Sequence, residues 1–220
     1  MRAVSTTRAV GLAVSRSLAV SRSFSTHDVA VLVLPGLGGS EPEHWQSRWH
    51  ASFAHWKTGK EPGWTRVEQA NWNGPTLEAW MGELRAAVAA APTPPLLLCH
   101  SLGCTLAAHY LAGAERLPVA GAFLVAPLDI DAFRVLPNGV PNTFRPLVLR
   151  PLGVPATVIM SASDPFTSVE VMRRHAESWD ATAVTTTEAS GHINVESGQG
   201  AWPEGRRLLA EFVDSRIRRS

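Results

Sequence analysis

From Asp28 onward the chain alternates between apolar runs of strand length and stretches whose apolar residues recur at helical spacing. Residues 29–34 are continuously apolar, and residues 43–56 then place Trp45, Trp49, Phe53 and Trp56 on one helical face. A weaker strand is expected over residues 65–68. Asn73-Gly74-Pro75 next opens a helix whose Leu77, Trp80, Met81, Leu84 and Val88 share a face, with Pro75 at the tolerated first-turn position. Further strands are expected over residues 96–99, 121–126 and 156–161. The last of these is followed by a helix using Val169, Met172, Ala176 and Trp179. A Thr-rich strand over 183–188 and a helix opened by Pro203, carrying Leu208, Leu209, Phe212 and Val213, close the pattern. Strands alternating with helices predict an α/β three-layer sandwich, with a mostly parallel sheet of about six strands covered on both faces. No internal repeat or second apolar core is visible, so residues 28–220 are expected to form a single domain.

Composition changes this picture little. A chain of 220 residues, 45% hydrophobic, can bury roughly 70% of the surface its unfolded form exposes. The formal charge is +1, but residues 1–27 hold four Arg and no acid, which leaves the remainder mildly acidic. Nucleic acid is therefore not an expected partner. The two Cys, five positions apart, form no disulfide framework and suit a reduced compartment. Segment 1–27 is rich in Ser, Ala and Val, with Arg2, Arg8, Arg16 and Arg22 at roughly two-turn intervals, as in an amphipathic presequence. A disordered extension, or a start assigned too early, is the competing reading, and on either one the segment lies outside the fold. Its apolar pieces are too short for a secretory signal or a membrane span. A cytoplasmic location is expected, or the mitochondrial matrix if the source is eukaryotic and the presequence is real.

The chemistry centres on residues 95–105, Pro-Leu-Leu-Leu-Cys-His-Ser-Leu-Gly-Cys-Thr. An apolar strand stops at Ser101 and an Ala-rich helix begins at once, the strand-turn-helix of a nucleophile elbow. The residues two before and two after the Ser must be small for strand and helix to approach. Here they are Cys99 and Gly103, so Cys99 departs from the usual G-x-S-x-G. A serine nucleophile needs a base, and the base needs an acid to orient it. Of the eight His, only His192, in Ser190-Gly191-His192-Ile193-Asn194, follows a strand and precedes the last helix. His100 is adjacent to Ser101 but is expected to point the other way. Asp164, in Ser163-Asp164-Pro165-Phe166, lies at a strand end between Ser and His in the chain order of an α/β-hydrolase, with Asp129 and Asp131 as the fallback. A helix-cap role for Asp164 is the competing reading.

Oxyanion donors are expected from the backbone N–H of Leu102 and from Leu37 in the loop Pro35-Gly36-Leu37-Gly38-Gly39. That loop lacks both the P-loop and the dinucleotide patterns, so a nucleotide fold is not expected. His44, near a strand end, and Trp72, in a loop between two Asn, are candidate substrate contacts. Phe144 is a third, and with Phe133, Leu136 and Leu147 it is expected to line a shallow pocket. It lies in residues 127–155, a segment with too many Pro for a multi-helix lid. The other helical-face Trp residues are expected to be core.

Taken together, Pro35-Gly36-Leu37-Gly38, Glu43-His44-Trp45-Gln46, Asn71-Trp72 before Pro75, His100-Ser101-Leu102-Gly103, Ser163-Asp164-Pro165-Phe166 and Gly191-His192-Ile193-Asn194 resemble the small α/β-hydrolases of the YdeN / retinoblastoma-binding protein 9 family. The resemblance covers residues 29 to about 213. It implies a compact hydrolase without a large lid domain and a metal-independent Ser101-Asp164-His192 triad with no cofactor. The L-x-C-x-E motif linked to retinoblastoma protein binding is absent, since residues 97–101 end in Ser. The resulting expectation is a serine hydrolase acting through an acyl-enzyme on small esters, with the oligomeric state left open and a monomer compatible with the sequence. An aminopeptidase-like amide hydrolase is the runner-up, and a non-catalytic binding module is the reading from another class.

Overall fold

The computed structural model describes residues 29–54 and 63–217. The expectations for segment 1–27 and for Trp56 lie outside the described residues. Six strands and five helices succeed one another as β1 (Val31–Leu34), α1 (Trp45–Ala54), β2 (Trp64–Arg66), α2 (Leu77–Ala90), β3 (Leu96–His100), α3 (Leu102–Ala112), β4 (Gly121–Val125), β5 (Ala156–Met160), α4 (Val169–Ser178), β6 (Thr182–Thr185) and α5 (Pro203–Phe212). All neighbouring strands pair in parallel, in the order β2-β1-β3-β4-β5-β6.

Side chains alternate across each strand, and the two faces fill two cores. Leu32, Leu34, Leu97, Cys99, Leu124 and Val158 pack under Trp80 and Leu84 of α2, under α3, and under Met172 and Ala176 of α4. Val31, Val33, Leu96, Leu98, Phe123 and Ile159 pack under Trp45 and Trp49 of α1 and Leu209 and Phe212 of α5. Strands covered on both faces have no polar side to show, which is why β1 and β3 read as unbroken apolar runs. In α3, almost every residue from Leu102 to Leu111 is buried, and its small residues let it sit close against the centre of the sheet.

Local chemistry moves several boundaries. Pro75 stands before the helix rather than in its first turn: Thr76 is the N-cap and its hydroxyl accepts from Ala79 N–H. β2 begins at Trp64 because that ring is buried and stacks on Phe53, at 4.5 Å between centroids. β6 ends at Thr185, after which the Thr186 hydroxyl bonds Glu188 O and the chain turns away. Trp179 caps α4 and donates its indole N–H to Val148 O at 2.7 Å. Between β4 and β5 the chain forms one 3₁₀ turn, Ile130–Ala132, and no α-helix. Among the described residues no helix is long and apolar enough to cross a membrane.

The connections from β1 run to β2 on one side and the chain returns to β3 on the other. Their carboxyl ends therefore open into the crevice where α/β sheets bind ligands.

Candidate active site

Ser101 sits between β3 and α3 with φ 54° and ψ −122°, a conformation that non-glycine residues rarely adopt and that projects the hydroxyl above the sheet. Close approach makes the turn possible. A Cβ on Gly103 would lie 2.3 Å from Leu34 O and 2.8 Å from Pro35 O, and one on Gly36 would lie 2.8 Å from Ser101 Cβ. Cys99 is wholly buried among the residues facing α3, where its thiol is pushed well above its ordinary pKa by desolvation. The elbow thus forms without a glycine at position 99, and the tight contacts fall on Gly103 and Gly36.

His192 arrives from the loop after β6. Its Nε2 accepts from Ser101 Oγ–H at 2.9 Å, and its Nδ1 donates to Asp164 Oδ2 at 2.8 Å. The Asp164 side chain is fully buried, and its other oxygen accepts from the N–H groups of Phe166, at 2.9 Å, and Thr167, at 3.4 Å. The helix-cap reading of Asp164 is not realised: Ser168 is the N-cap of α4, accepting from Val171 N–H, and the second Asp164 oxygen closes the turn before it. The His192 loop is docked on the end of β5 by two hydroxyls, Ser161 accepting from Ser190 N–H and Ser163 accepting from Gly191 N–H.

Above Ser101 lies a cavity of about 350 Å³, lined in part by Leu37, His44, His100, Leu128, Phe166 and His192. Leu102 opens α3, so its N–H has no intrahelical acceptor and lies at the positive end of the helix dipole, next to Ser101. In the loop after β1, Gly38 N–H donates to Trp72 O and Gly39 N–H to Gly36 O, while Leu37 N–H, on the cavity wall, has neither partner. Gln46 braces this loop from inside. Wholly buried, it donates to Leu34 O and Leu98 O, bridging β1 and β3, and accepts from the Ser40 hydroxyl at 2.6 Å.

A family model described as "Serine hydrolase" matches residues 31–211. The chain belongs to the serine hydrolase family. A YdeN-like hydrolase of Pectobacterium atrosepticum is 32% identical over 85% of this chain and 91% of its own, with a TM-score of 0.70. The ydeN gene product of B. subtilis is 19% identical over 85% of this chain and 100% of its own, TM-score 0.67. Esterase 2 of Thermogutta terrifontis, 17% identical over 86% and 83%, TM-score 0.60, shares the fold. No curated protein matches the chain.

Three imidazoles meet at the active-site cavity of this serine hydrolase. His100, expected to point away from Ser101, lines the same cavity instead, with its ring 5.0 Å from that of His192. His100 Nε2 donates to His192 O at 2.9 Å, buried. His44 accepts from Gln46 N–H on Nδ1, and its ring lies 4.8 Å from that of His100. Burial, followed by the charges of His192 and Arg66, lowers the His44 pKa to about 3. Burial likewise holds His100 well below the ordinary range. Both are therefore neutral while the unfolded chain's imidazoles still protonate near pH 6.5. A group whose folded pKa is lowered stabilises the fold above the unfolded value and loses that contribution as pH falls. Urea titrations from pH 7 to pH 4.5 are expected to show stability dropping below about pH 6.5, by about 1.4 kcal/mol per pH unit for each histidine. A pH-independent midpoint over that range would contradict the burial of these rings.

His100 holds the backbone carbonyl of His192 in place, so its removal tests whether that imidazole must be positioned for turnover. His100→Phe removes the donor and is expected to lower kcat by about 10- to 100-fold with KM little changed. His100→Gln, whose amide nitrogen reaches nearly the same point, is expected to recover most of the loss. Equal damage from both substitutions would show that the donor is not what matters.

Two expected substrate contacts are displaced. Trp72 packs against the core, with Arg66 over its ring at 5.0 Å and Trp80 at 5.5 Å, and does not line the cavity. Phe144 is fully buried edge-on to Trp80, and Leu136 and Leu147 are buried with it. The segment after β4 folds down onto α2 and α3 and offers Leu128 and Pro137 to the cavity instead. The fallback acids serve elsewhere. Asp131 accepts from Leu147 N–H and pairs with Arg145 at 3.6 Å, and Asp129 N–H donates to Thr167 Oγ1.

Proposed function

We propose that the protein hydrolyses small carboxylic esters through an acyl-enzyme on Ser101. The observation that supports this reading is the line of two hydrogen bonds, Ser101 Oγ–H to His192 Nε2 at 2.9 Å and His192 Nδ1–H to Asp164 at 2.8 Å. Ser101 Oγ attacks the ester carbonyl carbon as His192 Nε2 takes its proton, and the carbonyl π pair moves onto oxygen, facing the N–H groups of Leu37 and Leu102. When that pair returns, the alkoxide leaves with the proton from His192. Water then repeats the sequence, releasing acid and restoring Ser101. Asp164 fixes the imidazole tautomer and stabilises the imidazolium formed in each half-reaction.

The apolar wall of Leu128, Pro137 and Phe166 is short, and no lid helix among the described residues extends it. Each methylene adds about 0.8 kcal/mol only while there is wall to cover it. On a series of p-nitrophenyl esters, kcat/KM is expected to peak from acetyl to butyryl and fall by octanoyl, with no rate jump at the micelle threshold. Aminoacyl anilides of matched acyl size are expected to be slower than these esters. A steady rise to dodecanoyl, or amides outrunning esters, would overturn this reading.

A further inference from the structure

The cavity above Ser101 has walls of unlike chemistry. Glu41, from the loop after β1, and Glu196, from the loop after β6, both line it and are exposed, and neither carboxylate forms an ion pair among the described residues. These loops adjoin: Trp45 Nε1 donates to Ile193 O at 2.9 Å, and a Cβ on Gly200 would stand 3.1 Å from Glu43 O. The segments after β4 and β5 supply the apolar wall. Among the described residues no Lys or Arg lines the cavity. Arg66, behind Gly39, is engaged by Glu68 at 3.1 Å, by Ser40 O and by the Ser47 hydroxyl. His44 and His100, held neutral by burial, offset none of the negative charge.

A second observation points to a ligand at the same place. His44 is 6% exposed, and because its Nδ1 accepts from Gln46 N–H, the proton of the neutral ring is on Nε2. That N–H is buried without a partner, in a residue that lines the cavity. A buried donor left unpaired is costly, and an acceptor brought by a bound molecule would relieve it.

We infer that the substrate carries a cationic group, held against Glu41 and Glu196, and a hydrogen-bond acceptor for His44, with its uncharged part on the Leu128, Pro137 and Phe166 side. The inference rests on the hydrolase reading above. A neutral substrate lacks the charge attraction, and an anionic one is repelled. For exposed charges a few ångströms apart, the gain is about fivefold per carboxylate at low salt, about 20-fold for two, and it shrinks as salt screens it.

Two isosteric comparisons test this without identifying the natural substrate. On the alcohol side, acetylthiocholine is compared with uncharged 3,3-dimethylbutyl thioacetate and anionic 3-sulfopropyl thioacetate. On the acyl side, alanyl is compared with isobutyryl p-nitrophenyl ester, each corrected for uncatalysed hydrolysis. In at least one comparison the cation is expected to lead its neutral isostere by about 20-fold in kcat/KM at low salt, the ratio falling toward one at about 0.5 M salt. The double substitution E41Q/E196Q is expected to collapse that ratio, and His44→Phe to raise KM about tenfold. Ratios near one in both comparisons, or a preference that survives E41Q/E196Q, would overturn the cationic substrate. An unchanged KM for His44→Phe would overturn the acceptor contact. Labelling by an uncharged fluorophosphonate separates the two levels: labelled Ser101 with flat ratios leaves the hydrolase reading standing and removes this one, whereas an unlabelled Ser101 overturns both.

Discussion

Ser101→Ala is expected to lower kcat on a short-chain ester by about four to six orders of magnitude, leaving a residue set by binding and the oxyanion donors. In the proposed reaction the hydroxyl is the only part of the residue used, and alanine keeps the Cβ and the φ of 54° that the turn already tolerates, so melting temperature should barely move. His192→Ala is expected to cost a comparable factor, and the double substitution no more than either alone, because the two groups act as one unit. Asp164→Asn should lose about 10⁴-fold by presenting the wrong tautomer, while Asp131→Asn, whose carboxylate serves Leu147 and Arg145, should retain turnover. Retention of more than about a hundredth of wild-type turnover by Ser101→Ala would remove Oγ as the nucleophile.

Gly103→Ala is expected to be strongly destabilising. The added Cβ would stand 2.3 Å from Leu34 O and 2.8 Å from Pro35 O, and both are backbone atoms that cannot rotate away. Either α3 lifts from the sheet or the end of β1 shifts, at about 3 kcal/mol and about 6–12 °C in melting temperature. The second route also displaces Gly36 and Leu37, so activity should fall further than stability. Gly82→Ala provides the contrast, since that position in α2 has open space where the Cβ would stand, and there the same change should stabilise by about 0.5–1 kcal/mol. Calorimetry on the two variants measures both signs, and a Gly103→Ala protein as stable as the parent would contradict the close approach at the elbow.

What was legible in the sequence follows from how local each feature is. The strand-turn-helix at Ser101 is written in eleven consecutive residues, and the order Ser101, Asp164, His192 follows strand ends that the apolar runs mark. Parallel strands buried on both faces announce themselves as unbroken runs, so the fold class was also readable. Side-chain direction at the cavity was not. Phe144 and Trp72 were expected there on composition and loop position, yet each finds a better apolar partner in Trp80. The cavity wall comes from Leu128, Pro137 and Phe166 on separate segments that only the fold brings together. His100 was expected to point away from Ser101, yet both line the same cavity. Its contact with His192 O depends on a loop 92 positions away, and no local signal carries that. Gln46 was visible only as part of a motif, because its bridge between β1 and β3 exists only once those strands pair.

The most direct test of the central claim is covalent. Folded protein incubated with an uncharged alkyl fluorophosphonate should gain one phosphonyl group per chain by intact mass, as Ser101 Oγ displaces fluoride, and peptide mapping should place it on Ser101. Ser101→Ala should show no gain, and His192→Ala should react far more slowly. Folded wild-type protein that stays unlabelled, or that carries the label on another residue, would contradict the assignment of Ser101 as an activated nucleophile.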